Sequence, residues 1–115
     1  MKIRTSFVGN SSSSSFIAIC AFPYPEAFED VLEKLEAKHY LEEGVGYGQE
    51  EIKDGIRIYS WEYNPDFIGM DIESLLLDNK TIKECIQIFK EKLKKHDISE
   101  DKFMNIKFEY GTVGS

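Results

Sequence analysis

Asn10, Ser11, Ser12, Ser13, Ser14 and Ser15 place an amide and five hydroxyls side by side, immediately before the apolar run Phe16 to Phe22. Small hydroxyl residues beside free backbone N–H groups can cradle an anion such as phosphate, so this stretch is a candidate loop for a small nucleotide-like ligand. The competing reading is a solvated polar loop or strand edge, because serine hydroxyls compete for local backbone groups and have weak strand propensity.

A second candidate is Ile56 to Tyr63, IRIYSWEY, which alternates strictly. Period-2 alternation puts Ile56 and Ile58 on one side and Arg57, Tyr59, Trp61 and Tyr63 on the other, and the following strand adds Phe67 to that second side. Aromatic groups gathered on one sheet face mark a covered or binding surface. Three occupants compete for it: the N-terminal strand or a second copy of the chain, a foreign protein, or stacked bases. Base stacking needs a basic surround, and a net charge of -7 makes nucleic acid a poor match.

Catalytic chemistry has little footing. The two histidines, His39 and His96, fall near the ends of separate helical patterns. No serine lies in a nucleophile-elbow pattern, and no His, Cys, Asp or Glu set has metal-ligand spacing. Cys20 and Cys85 sit in apolar patterns on different elements, without C-x-x-C spacing. They read as reduced core thiols, which fits a cytoplasmic protein. The expectation is a non-enzymatic protein with no cofactor and no metal.

The elements that would position these candidates can be read in order. Gly9-Asn10 supplies a hairpin turn that pairs Met1 to Val8 with the start of a strand ending at Phe22. Pro25 opens a helix reaching about Glu43, with Phe28, Val31, Leu32 and Leu35 on one face and Gly44 after its end. Residues 44–55, GVGYGQEEIKDG, read as a glycine-rich linker or flap. Ile56 to Tyr63 and Phe67 to Ile72 form a hairpin about Asn64-Pro65-Asp66. Thr81-Ile82-Lys83-Glu84 is a capping box that starts a helix running to about Lys95, with a stripe of Ile82, Cys85, Ile86, Phe89 and Leu93. A turn at Ser99 to Lys102 precedes a last strand, Asn105 to Tyr110.

This order, β-α-β-β-α-β with an extra N-terminal strand, predicts a single α+β domain over residues 1–115. Right-handed crossovers make it a ferredoxin-like plait, a four-stranded antiparallel sheet with both helices on one face. The strands at Phe16 and Phe67 are central, those at Ile56 and Ile106 are edges. Beneath the helices lie Ile17, Ile19, Ile56, Ile58, Ile68, Met70, Ile72, Ile106 and Phe108.

A chain of 115 residues supports one core, and 42% hydrophobic residues is too apolar for a disordered acidic chain. No apolar run approaches the length of a membrane span. Charge is unevenly placed: residues 26–54 carry ten acidic and three basic side chains, whereas residues 80–95 carry six lysines and two glutamates. Opposite charges would help the two helices lie together, and an acidic surface could also meet a basic partner.

The opening Met1 to Phe16, M-K-I-R-x-x-F-V-x-N-S-S-S-S-S-F, resembles the start of many small proteins encoded in bacteriophage and bacterial genomes. The resemblance covers about the first twenty residues and assigns no functional residue. It implies a phage or prophage setting, in which small acidic proteins often bind and inhibit host factors. The functional expectation is therefore a host-protein binder of the anti-defence or takeover type, self-associating as a homo-oligomer. The alternative is a sponge for a nucleotide-like anion built on Asn10 to Ser15.

Overall fold

Strand β1, Ser13–Pro23, holds the sheet together because it is apolar on both sides, Ile17, Ile19 and Ala21 alternating with Phe16, Ala18 and Cys20. The computed structural model describes residues 13–45, 48–60 and 65–114. On one side β1 pairs with β4, Pro65–Asp71, with Ile19 opposite Met70. On the other it pairs with β5, Phe103–Gly114, with Ile19 opposite Phe108. β3, Ile56–Ser60, pairs with β4 in the expected antiparallel sense, but Pro65 and Asp66, read as the turn, already belong to β4, with Pro65 opposite Ser60; β2, Gln49–Lys53, pairs with β3. The result is a five-stranded antiparallel sheet in the order β2-β3-β4-β1-β5.

Two further features of the sheet differ from the sequence expectation. Its fifth described strand is β2, inside the stretch read as a linker or flap, so the strand at Ile56 is covered rather than an edge. The pattern QEEIK lacks apolar alternation, and β2 is held instead by its neighbours: the Tyr40 hydroxyl donates to Glu50 Oε1 at 2.9 Å and Arg57 Nε donates to Gln49 Oε1 at 2.9 Å. The local signal was Asp54-Gly55, whose φ values of 54° and 79° suit a two-residue hairpin turn. The last strand also runs on to Gly114, through residues expected to be a short tail. The N-terminal strand expected at Met1 to Val8, and its Gly9-Asn10 turn, lie outside the described residues.

The first helix is divided. A 3₁₀ turn at Pro25–Ala27 leads into α1, Phe28–Lys34, and α2 occupies only Tyr40–Glu43. The break is a left-handed cap at Glu36, φ 58°, where the Glu36 N–H donates to Glu33 O at 3.0 Å and the Ala37 N–H to Leu32 O at 2.8 Å. This turn buries Leu35 and Ala37 beside Leu32. Asp97 at φ 62° ends α4, Ile82–Lys95, in the same way, with Ile98 N–H donating to Leu93 O at 2.9 Å. Asn79 at φ 68° does so for α3, Glu73–Leu77, a short helix absent from the sequence reading. α4, Ile82–Lys95, starts at the expected capping box: Glu84 N–H donates to Thr81 Oγ1 at 3.1 Å, and Thr81 N–H to Glu84 Oε1 at 2.8 Å.

Val31, Leu32 and Leu35 join Cys85, Phe89 and Leu93 over one sheet face, against Ile19, Ile56, Ile58, Ile68, Met70 and Ile72. Ile17, Ile106 and Phe108 pack at the margin of that cluster, so the expected core residues all belong to it. Each fully buried aliphatic or aromatic side chain contributes about 1.5–3 kcal/mol, which makes this layer the main source of stability. The opposite charges noted in the sequence meet at the β2–β3 turn. There Lys92 Nζ donates to Asp54 O at 2.9 Å, while His96 Nε2 lies 3.2 Å and Lys95 Nζ 3.6 Å from Asp54 Oδ2.

Candidate binding surfaces

The side of the sheet away from the helices carries a second, aromatic cluster of Phe16, Ala18, Cys20, Tyr59 and Phe67, with Phe22 packed against it. Strand alternation places these residues there. Tyr59 and Phe67 are opposite each other across β3 and β4, and their rings stack at 4.9 Å with planes 9° apart. Phe16 meets Tyr59 at 5.3 Å and Phe22 meets Phe67 at 4.8 Å, both tilted. Gly69 makes room for them: a Cβ there would stand 2.6 Å from Ile19 O and 3.1 Å from Tyr59 Cε1.

Of the five residues read as a binding face, the structure brings Tyr59 and Phe67 together but buries them, at 0% and 3% exposure. Their rings are packed away rather than displayed. Arg57 is half-buried, with its guanidinium turned to Gln49 and Glu51 of β2, which the sequence reading treated as linker. Trp61 and Tyr63 lie outside the described residues.

Burial also sets the chemistry of this cluster. It pushes the Cys20 thiol up to about 12, with a further upward push from Glu109 against a downward one from Lys107. The Tyr59 hydroxyl is likewise pushed up by burial. Both groups stay neutral near pH 7, and a neutral buried thiol is a poor nucleophile. Among the described residues, the Tyr59 hydroxyl and the Ser60 hydroxyl are buried without a hydrogen-bond partner.

The serine segment divides at the start of β1. Asn10, Ser11 and Ser12 lie outside the described residues, whereas Ser13, Ser14 and Ser15 are extended strand opposite Gly114, Val113 and Thr112. An anion cradle requires successive N–H groups to converge in a turn, and extended backbone points them alternately to either side. These three serines therefore do not form the loop expected of them.

The His39 and Tyr40 rings meet at 4.3 Å, tilted by 34°, and His96 faces Asp54, so the two histidines serve different places. Among the described residues no group of three or more His, Cys, Asp or Glu is arranged to hold a metal ion. Nor is any described helix long and apolar enough to cross a membrane.

The segment from Pro25 to Glu43 displays acid. Glu26, Glu29, Glu33, Glu36, Glu42 and Glu43 are exposed along the 3₁₀–α1–α2 segment. Lys38 pairs with Glu29 at 3.0 Å, and Lys53 with Glu36, which holds the Glu36 carboxyl below its ordinary range. Comparisons with protein-family models, curated proteins and solved structures find no match for this chain.

Proposed function

We propose that this protein is a non-enzymatic binding protein of a phage or prophage that engages a basic surface on a host protein through its acidic helical segment, and so inhibits or redirects that protein. The observation that carries this reading is the contrast in exposure: Phe16, Tyr59 and Phe67 are packed away, whereas six glutamates stand in solvent on adjacent turns of one segment. Clustered like charge raises the encounter rate with an opposite surface and gives salt-sensitive association. Two unpaired, buried cysteines support a reducing compartment, in keeping with the cytoplasm of a bacterial host.

The reading extends to the architecture. The strand order β3-β4-β1-β5, with antiparallel neighbours throughout and the α1 and α4 residues in one cluster, supports a ferredoxin-like plait to which β2 adds a fifth strand.

Affinity capture from bacterial lysate tests the function, using the wild-type protein beside a Glu26→Gln, Glu33→Gln, Glu42→Gln, Glu43→Gln variant. One stoichiometric partner, released by salt and lost with the variant, is the expected result. Capture that is indifferent to the four substitutions would sink the acidic-segment reading.

A further inference from the structure

The sheet ends differently on its two sides. β2 is five residues long, carries Glu50, Glu51 and Lys53, and has an irregular register beside Lys53. Short, charged, irregular edges are how sheets avoid pairing with other chains. β5 runs for twelve residues, is regular from Asn105 to Gly114 with a register shift only at its Phe103 end, and among the described residues pairs only with β1. Met104 is 52% and Tyr110 73% exposed.

The backbone groups available on that edge follow from the ladder. Ile72 N–H donates to Ile17 O, so Ile17 and, by alternation, Ile19 turn their backbone groups towards β4. Phe16, Ala18 and Cys20 then bond to Gly111, Glu109 and Lys107 of β5. Ile106, Phe108 and Tyr110 then turn their N–H and C=O groups outward.

Side-chain charge selects among the ways of using them. Lys107 and Glu109 lie on the same sheet face, 3.0 Å apart, one on each side of Phe108. We infer that a second copy of this chain adds to β5 as an antiparallel neighbour about a two-fold axis at Phe108, joining the two sheets into one. In that register Phe108 bonds to its own copy, Ile106 pairs with Tyr110, and Lys107 of each chain faces Glu109 of the other as a close, non-hydrogen-bonded pair. Moving either strand by two residues keeps the backbone bonds but sets Lys107 against Lys107, or Glu109 against Glu109. The charges thus specify both the occupant and the register. This inference is independent of the acidic-segment reading, since β5 and α1–α2 are separate surfaces.

Sedimentation equilibrium of the full chain, with Lys107→Glu, Glu109→Lys and the double swap Lys107→Glu/Glu109→Lys, tests it. The wild type and the double swap should be dimers. Each single reversal places two like-charged pairs across the axis and should weaken the dimer at least about tenfold. Mixing the two single variants restores opposite charges at both positions and should produce a heterodimer. Tyr110→Pro removes one outward N–H at an exposed edge position and should also weaken the dimer while circular dichroism reports an unchanged fold. A wild-type protein that stays monomeric, or a dimer indifferent to the single reversals, overturns the inference.

Discussion

The two faces of the sheet are built from alternate residues of the same strands, yet they are closed by different means. On one face β1 offers Ile17, Ile19 and Ala21 to Val31, Leu32, Phe89 and Leu93 of the helices. On the other it offers Phe16, Ala18 and Cys20, and every buried helix residue is absent from that cluster. Branched aliphatic groups interlock with helix side chains at the density of a protein interior. Flat rings need small neighbours instead, which is why Ala18, Cys20 and Gly69 occur where Tyr59, Phe67 and Phe16 converge. A cluster of exposed-looking aromatic positions in a sequence can therefore be a second packed layer rather than a docking surface.

The largest expected effect belongs to the helix-covered face. Phe89→Ala should cost roughly 3–5 kcal/mol of unfolding free energy in chemical denaturation, because a ring is removed from a fully packed layer. A loss below about 1 kcal/mol would mean that the aliphatic face is not the principal core.

Gly69→Ala tests the aromatic face from the backbone side. Its Cβ would meet Ile19 O at 2.6 Å, and a backbone atom cannot swing aside as a flexible side-chain tip can. The expected cost is about 1–3 kcal/mol, with a changed near-ultraviolet dichroism as Tyr59 is displaced. An unchanged melting temperature would show that the two faces are not so tightly coupled through β4.

Tyr59→Phe should have the opposite sign. The hydroxyl is buried and has no hydrogen-bond partner among the described residues, so removing it while keeping the stacked ring should leave stability unchanged or raise it by about 1 kcal/mol. A marked loss would show that the hydroxyl has a bonding role.

The smallest effect concerns charges around the helix-covered face. Hydrogen bonds from His96 and Lys92 hold the Asp54 carboxyl below its ordinary 3.8, Lys53 lowers Glu36, and the Thr81 N–H lowers Glu84. A depressed folded-state value means that the unfolded chain binds protons first as pH falls. The stability from these groups is therefore present above about pH 4–5 and is lost below it, as pH falls through the folded values. Urea denaturation between pH 7 and pH 3 should show this decline, and Asp54→Asn should differ from wild type at pH 7 but converge with it in acid. A constant difference across the range would remove Asp54 from the account.

Much of this was readable along the chain. The alternation in Ile56 to Ser60 and Phe67 to Asp71 determined which residues lie under the helices, because a strand has no other way to segregate its side chains. The capping box at Thr81 and the stripe Cys85, Phe89, Leu93 likewise marked α4, since helix periodicity and orphan N–H groups are local properties. Tertiary structure decided what local pattern leaves open. β2 exists because Tyr40 and Arg57 reach Gln49 and Glu50 from other elements, contacts that no window of QEEIK contains. The first helix breaks at Glu36 because Ala37 and Val45 are buried with the core, so the cost of a left-handed glutamate is offset by packing beyond the helix. The exposure of Tyr59 and Phe67 also depended on packing: alternation assigns a residue to a face, but only assembled neighbours decide whether that face meets water.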